Sequence, residues 1–294
     1  AWFESVSGFT TTGSTILDNV EALPNSLLFW RSSTHFIGGL GVVVFLLLII
    51  PSSSQMRLRL TTLELSSLSK REYRSGANKT VYIFTYVYFG LTAASFLLYV
   101  MAGMSPFDAI NHAMSVVATG GFSTRNASIG AYDSITIDLI TMLFMVLSSV
   151  HFGMIFVAVV TRSLKPFKNE IFKFYLSMIV VAGVIVSISI KAHGFEEAWG
   201  RSFLSGFFHV MSFASTTGFS IADNSSWPVL SDTILVLMGV CCGMAGSTTG
   251  GMVLYTAHAM GRSPACLLFS GHIDSLAAAG AILADVWTDR PLPT

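Results

Sequence analysis

The chain has 294 residues, of which 52% are hydrophobic and only 11% carry a charge. An average soluble domain has about 25% charged residues, so this composition excludes an ordinary water-soluble globule. Sixteen Lys and Arg balance sixteen Asp and Glu, and a net charge of zero provides no field that would attract nucleic acid. The expected partner is the lipid bilayer, and no nucleic-acid partner is expected.

Five hydrophobic runs are long enough to be considered as membrane spans of an all-α integral membrane protein. In chain order they cover 34–50, 81–103, 135–161, 172–190 and 229–245. The connections 51–80 and 162–173 concentrate Lys and Arg, whereas the opposite connections carry mainly Asp and Glu. By the positive-inside rule, the two basic connections are predicted to be cytoplasmic and the others to face outward.

The three outward segments repeat one pattern of small and hydroxyl residues. They read AWFESVSGFTTTGST, INHAMSVVATGGFST and FFHVMSFASTTGFS, and aligning Gly13, Gly121 and Gly218 also aligns Ser7, Ser115 and Ser212. Each copy contains a short amphipathic stretch followed by the small residues. The repetition predicts three units of helix, re-entrant pore loop and helix, the first without its opening helix.

Backbone that is not helical can lie within a membrane only if it is buried in protein or lines a water-filled cavity. Rings of backbone carbonyls can replace the hydration shell of a potassium ion. No Asp or Glu lies in 5–17, 109–124 or 202–222, which argues against divalent ions. One such loop alone would be read as a glycine turn, but three copies favour a pore for a monovalent cation.

Several motifs, taken in order, carry a resemblance to a known family. SVSGFTTTGST, WRSSTHFIGGLGVVVF, SVVATGGFST, SFASTTGFS and GMAGSTTGGM resemble the TrkH/KtrB/HKT superfamily of potassium transporters, and within it the bacterial TrkH branch. The resemblance implies a potassium-channel-like pore of four repeats in the bacterial inner membrane, crossed several times by the chain. Potassium would be the substrate, and no cofactor is expected in this chain.

The resemblance also implies which residues form the selectivity filter and bind the ion. Carried onto this sequence, the filter positions are Thr11, Thr12 and Gly13; Thr119, Gly120 and Gly121; and Thr216, Thr217 and Gly218. Their backbone carbonyls would line the single-file path.

A glycine-rich run, 239–251, interrupts the last hydrophobic span beyond the third filter. Glycine lowers helix propensity and changes conformation at little cost. The resemblance implies that this run is an intramembrane gate beneath the filter, formed by Gly243, Gly246, Ser247, Thr248, Thr249, Gly250 and Gly251. The alternative is a helix-packing face, because Gly239, Gly243 and Gly246 fall near helical spacing.

The sequence departs from the family pattern at its end, because 263–294 contains no fourth filter motif. Three filter quarters are not expected to close a four-sided carbonyl cage by themselves. The predicted division is 1–50 (pore loop and second helix of repeat 1), 51–80 (cytoplasmic loop), 81–162 (repeat 2), 163–173 (cytoplasmic loop), 174–261 (repeat 3 with a broken second helix) and 262–294 (divergent or truncated tail).

Isolated ionisable residues accompany the pore loops. Glu4, His112 and His209 occupy the same position in the three repeats, and we predict that they support the pore helices rather than form a proton path. Arg31 and Arg201 are predicted to be interfacial anchors.

Two other functions compete with potassium transport. The first is sodium permeation by a member of the same superfamily, although Gly13 stands where sodium-transporting plant relatives have a serine. The second is an intramembrane serine protease around Ser247 with His258 or His272, which lacks the usual serine motif and leaves the repeated loops unexplained.

The resemblance further implies a homodimer with a cytoplasmic nucleotide-binding regulatory subunit, for which the basic connections are the available docking surface.

Overall fold

A computed structural model describes residues 1–49, 77–196, 198–244 and 247–249. Within these ranges the regular elements are all helical. Most of the predicted cytoplasmic connection, 51–76, lies outside the described residues, as does everything from 250 onward. The predicted gate residues Gly246, Gly250 and Gly251 therefore lie outside them too.

The described residues form nine α-helices. They are α1 (Trp2–Phe9), α2 (Asn25–Ile49), α3 (Ala77–Met101), α4 (Pro106–Val117), α5 (Ile135–Ser149), α6 (Phe152–Thr161), α7 (Glu170–Ala192), α8 (Trp199–Ala214) and α9 (Val229–Cys241). Short 3₁₀ helices lie at Ser128–Tyr132 and Lys165–Lys168. By length and composition, α3 (over Val81–Met101) and α7 are each able to cross a membrane.

The predicted span 135–161 is not a continuous helix. It stops at Ser149 and restarts at Phe152, and the two parts, α5 and α6, meet at an angle of 104°. Val150 is extended, with φ −91° and ψ 148°, and the His151 ring accepts a hydrogen bond from the Gly153 N–H at 2.9 Å. The predicted span 135–161 therefore contains a break, because His151 caps a new helix in the middle of the apolar run.

The predicted repetition of helix, pore loop and helix is confirmed in the order of the elements. Three short helices, α1, α4 and α8, each precede a filter loop, and each packs against a longer helix of its own repeat: α2, α3 and α7 respectively. The second pore helix, α4, also packs against α2 of the first repeat. The filter loops are therefore held between repeats as well as within them.

Candidate ion filter and gate

All three pore helices end in the same hydrogen-bonded turn. After α1, the Thr11 N–H donates to the Gly8 carbonyl and the Thr12 N–H donates to the Ser7 carbonyl, both at 3.0 Å. The corresponding bonds after α4 and α8 are Thr119 to Val116 (3.2 Å), Gly120 to Ser115 (3.0 Å), Thr216 to Phe213 (2.9 Å) and Thr217 to Ser212 (2.9 Å). This pair of bonds is the Schellman motif, which satisfies carbonyls at a helix end.

A threonine occupies the left-handed position of each turn, where glycine is usual. The φ angles of Thr11, Thr119 and Thr216 are 54°, 53° and 53°. A β-branched residue with positive φ is an outlier, and such strain, of the order of 1–3 kcal/mol per residue, clusters at functional sites. Its recurrence at three equivalent positions makes these loops the candidate functional site.

The third predicted filter position is a glycine with positive φ in every repeat: 75° at Gly13, 81° at Gly121 and 79° at Gly218. A Cβ on Gly13 would overlap the carbonyl oxygen of Gly120, and one on Gly121 would overlap the carbonyl oxygen of Thr217. The three filter strands therefore lie side by side in the order of the repeats, with no room between them for a side chain.

The filter formed by the described residues is open at its two flanks. Thr119 and Gly120, in the middle strand, are buried, whereas Thr12 in the first strand and Gly218 in the third are exposed. A Cβ on Gly218 would have no neighbour within 4 Å among the described residues. Among the described residues, the outer sides of the first and third strands are therefore not covered by another filter strand.

In the first and third repeats, a serine hydroxyl on the pore helix binds the strand that follows the filter. The Ser7 hydroxyl donates to the Ser14 carbonyl at 2.6 Å, and the Ser212 hydroxyl donates to the Phe219 carbonyl at 2.7 Å. Both bonds join a pore helix to the strand that leaves its filter. The sequence alignment of these serines therefore corresponds to a shared structural role.

The second repeat uses His35 of α2 instead. Its Nδ1 pairs with the Ser115 hydroxyl at 3.2 Å, its ring stacks on Phe122 at 3.9 Å, and a Cβ on Gly120 would overlap the ring. Sequence reasoning gave His35 no role. The sequence did contain a signal that the second repeat differs: Ala118 and Gly120 stand where the other repeats have hydroxyl residues.

The aligned residues Glu4, His112 and His209 connect pore helices to the segments that return from the filters, as predicted. Glu4 Oε1 accepts hydrogen bonds from the Thr15 hydroxyl (2.8 Å) and the Ile16 N–H (2.9 Å). His112 Nε2 pairs with the Ser123 hydroxyl at 2.8 Å, and His209 Nε2 with the Ala222 carbonyl at 3.2 Å.

Arg31 is not an interfacial anchor, because its side chain is only 8% exposed. Its Nε lies 3.0 Å from Glu4 Oε2, and its guanidinium lies 4.0 Å above the Phe122 ring. The prediction failed because Glu4, the partner that neutralises Arg31, is 27 residues away in sequence. Arg201 does lie at the surface, where it pairs with Asp133 at 3.0 Å.

Asp108, at the start of α4 and outside the spanning helices, organises the second return segment. Its carboxylate accepts hydrogen bonds from the Thr124 hydroxyl (2.7 Å), the Ser105 hydroxyl (3.0 Å) and Arg125 Nη2 (3.1 Å). Burial alone would raise the pKa of Asp108, but these bonds and the Arg125 charge outweigh burial and lower the pKa below its ordinary value. The carboxylate is therefore charged at neutral pH.

The predicted gate begins where α9 ends. Cys242 has φ 53° and ψ −175°, which turns the chain out of the helix after Cys241. Because Gly243 lies beyond this turn, Gly239 and Gly243 do not share a helix face, and the packing-face alternative does not fit them.

Three predicted gate residues are buried: Ser247 (1% exposed), Thr248 and Thr249 (5% each). The Ser247 hydroxyl donates to the Met244 carbonyl at 2.6 Å and pairs with the Thr249 hydroxyl at 2.7 Å. These bonds engage the serine that a protease would need as nucleophile, and His258 and His272 lie outside the described residues.

Comparison with known proteins agrees with this geometry. A sequence model of the TrkH family, described as a cation transport protein, matches residues 1–263. The chain belongs to the TrkH family. Its curated members include the Trk system potassium uptake protein TrkH of Halomonas elongata, 36% identical to this chain over 256 residues, and the protein of the same name from Escherichia coli strain K12, 34% identical over 254 residues.

Both alignments cover 86% of this chain but only 52% and 53% of those relatives, so the chain spans about half the length of the curated relatives it matches. The crystal structure of the potassium transporter TrkH from Vibrio parahaemolyticus is similar in fold, with a TM-score of 0.75 and 28% sequence identity. That similarity covers 97% of this chain and 61% of the other. The multi-pass membrane fold with pore-loop repeats is thereby confirmed.

Proposed function

We propose that this chain forms part of a potassium uptake pore in the bacterial inner membrane. The observation that carries the proposal is the threefold recurrence of a left-handed threonine and a left-handed glycine, two residues apart, at the ends of three pore helices. Relatives that are named potassium uptake proteins support the choice of ion. They also favour transport over catalysis at Ser247.

In this proposal the ion is coordinated by backbone carbonyls of 11–13, 119–121 and 216–218. Carbonyl dipoles replace the hydration shell without introducing formal charge, which suits a monovalent cation. The strain at the threonines holds the strands in a geometry that a relaxed turn would not adopt. A fourth strand on the open flank beside Gly218 would complete the ring.

The test is the reversal potential of the native-length gene product in a bilayer with mixed potassium and sodium. We expect potassium to be strongly favoured. Equal permeability of the two ions would overturn the potassium assignment and favour the sodium-permeable alternative. Absence of any cation current would count against the pore itself.

We further propose that 243–251 gates the ion path without contributing to selectivity. The run follows α9, which starts at Val229 and rises about 20 Å over its 13 residues at 1.5 Å per residue, so it lies deeper than the filter. Deleting 247–250 should raise potassium flux and leave the potassium-to-sodium ratio nearly unchanged. Reduced flux with altered selectivity would instead assign these residues to the filter.

The proposed assembly is a homodimer bound to a cytoplasmic nucleotide-binding subunit. Lys165 and Lys168 are exposed in the connection between α6 and α7, where a negatively charged surface would find partners. Their positive charge is also what the topology of a cytoplasmic connection requires.

A further inference from the structure

The loop that follows α9, in the third repeat, contacts the C-terminal end of α5, in the second repeat. We propose that Ser148, Ser149 and Tyr175 form a latch that holds the gate loop closed, where the gate loop means the described residues 243–244 and 247–249. The proposal rests on the gating function proposed above and adds the residues that keep the gate in place.

The latch begins with carbonyl groups that α5 cannot satisfy by itself. The last four carbonyls of a helix have no partner within it, and an unpaired carbonyl within a membrane costs several kcal/mol. The Leu147 carbonyl accepts the Val150 N–H at 3.4 Å. The break after Ser149 leaves the carbonyls of Ser148 and Ser149 available to another segment.

The gate loop supplies the missing donors. The Met244 N–H donates to the Ser149 carbonyl at 2.8 Å. The Ser148 carbonyl accepts two bonds from Thr248, one from its N–H at 3.3 Å and one from its hydroxyl at 2.9 Å. The loop therefore caps α5 from about 100 residues away, and its departure would leave both carbonyls without these partners.

Gly243 makes this close approach possible. A Cβ at Gly243 would overlap the Thr249 hydroxyl and lie 2.7 Å from both the Cβ and the carbonyl oxygen of Ser149. Any side chain at this position would push the loop away from α5. A glycine that looks like a simple helix breaker in the sequence is thus the contact point of the latch.

Tyr175 of α7 stabilises the end of α5 that the gate loop contacts. Its hydroxyl donates to the Ser149 hydroxyl at 2.8 Å, and that hydroxyl donates to the Val146 carbonyl at 2.8 Å. Tyr175 is 4% exposed. The tyrosine therefore holds the end of α5 from a third helix, so that the latch joins α5, α7 and the loop after α9.

The test compares variants that remove a single hydroxyl, in proteoliposomes of the native-length gene product. Thr248→Val removes the hydroxyl bond to Ser148 at constant shape, and Tyr175→Phe removes the bond to Ser149. Thr248→Ser retains the hydroxyl and serves as the rescue variant. Tyr99→Phe is the matched control, because Tyr99 makes an equivalent buried bond of 2.9 Å to Thr141, also on α5 but away from the gate.

We expect Thr248→Val and Tyr175→Phe each to raise potassium flux about fivefold, the factor that corresponds to one hydrogen bond of about 1 kcal/mol. The potassium-to-sodium ratio should not change, and Thr248→Ser and Tyr99→Phe should behave as the unmodified protein. General damage to the fold would lower flux, so it would not imitate this result.

A second readout uses Cys242, which is 3% exposed beside the latch. In a background with Cys241→Ser and Cys266→Ser, its modification by a water-soluble thiol reagent should be slow and should accelerate about fivefold with Tyr175→Phe but not with Tyr99→Phe. Unchanged flux and labelling in both latch variants, while deletion of 247–250 raises flux, would overturn the latch and leave the gate standing. A deletion that does not raise flux would overturn the gate itself.

Discussion

Threonine is a poor choice for the left-handed region, yet Thr11, Thr119 and Thr216 all adopt it. Glycine would remove the strain at each of these turns. The chain instead has glycine two positions later, and at Gly13 and Gly121 a side chain would strike the neighbouring filter strand. Glycine therefore occupies positions where two strands approach closely. The strained threonine occupies the turn, where it fixes the strand.

Gly121→Ala tests this contact between strands. The added methyl group would overlap the Thr217 carbonyl oxygen, a group that we propose lines the ion path. We expect the potassium-to-sodium permeability ratio to fall about tenfold, which corresponds to about 1.4 kcal/mol in relative ion binding. The measurement is the reversal potential in mixed salts.

Gly194→Ala is the control for Gly121→Ala. Gly194 has a similar φ of 75° but its Cβ would meet nothing within 4 Å, so it introduces the same backbone strain away from the filter. An equal fall in selectivity for both variants would show that strain, rather than displacement of a filter carbonyl, is responsible.

Glu4→Gln tests the buried ion pair of the first repeat. Glutamine can still accept the hydrogen bond from the Ile16 N–H, but it leaves the Arg31 charge without a counter-ion at a site where the two side chains are 8% and 12% exposed. We expect a loss of about 3 kcal/mol in the free energy of unfolding, seen as a lower melting temperature in detergent.

The control for Glu4→Gln is Asp133→Asn, which breaks the exposed ion pair between Arg201 and Asp133. There the side chains are 61% and 79% exposed, and the expected cost is below about 1 kcal/mol. Similar melting temperatures for the two variants would contradict the role given to burial.

At the scale of the elements, hydrophobic length predicted two helices that are able to cross a membrane, α3 and α7, and the repeated glycines predicted the three pore loops. These features are local in sequence. The break between α5 and α6 could not be predicted, because 135–151 contains neither glycine nor proline and the groups that satisfy the Ser148 and Ser149 carbonyls come from Met244 and Thr248. Burial of Arg31 was missed for the same reason, since its partner is distant.

The pair α7 and α8 depends on close approach through small residues. A Cβ on Gly206 would lie 2.9 Å from the backbone nitrogen of Ser187 and would overlap its hydroxyl. Gly206→Ala should therefore separate the helices and reduce stability by about 1–3 kcal/mol. Thermal unfolding monitored by circular dichroism measures the change.

Gly200→Ala, in the first turn of the same helix, provides the comparison. Its Cβ would have no neighbour within 4 Å, so replacing a helical glycine should stabilise the protein by up to about 1 kcal/mol. If both substitutions had the same sign, helix propensity rather than packing would explain the effect at Gly206.

At the scale of the whole molecule, the segments returning from the three filters are joined to one another. Asn126 accepts the Val20 N–H at 2.7 Å and donates from its side chain to Asn19 Oδ1 at 2.9 Å, which links the first two repeats. The Gly130 N–H donates to the Ser220 carbonyl at 3.1 Å, and the Ser220 N–H donates to the Ser128 hydroxyl at 3.3 Å, which links the second and third. These bonds join each return segment to the return segment of the next repeat.

Because the two links share only the second return segment, they should open separately. Asn126→Ala removes the acceptor of the Val20 N–H, so hydrogen exchange at Val20 should accelerate about tenfold, as expected when a protected amide loses a bond of about 1 kcal/mol or slightly more. Exchange at Ser220, held by the other link, should stay unchanged in the same sample. If both amides accelerated together, the return segments would open as one cooperative unit, and the filter strands would be held by the ring as a whole rather than by links between pairs of repeats.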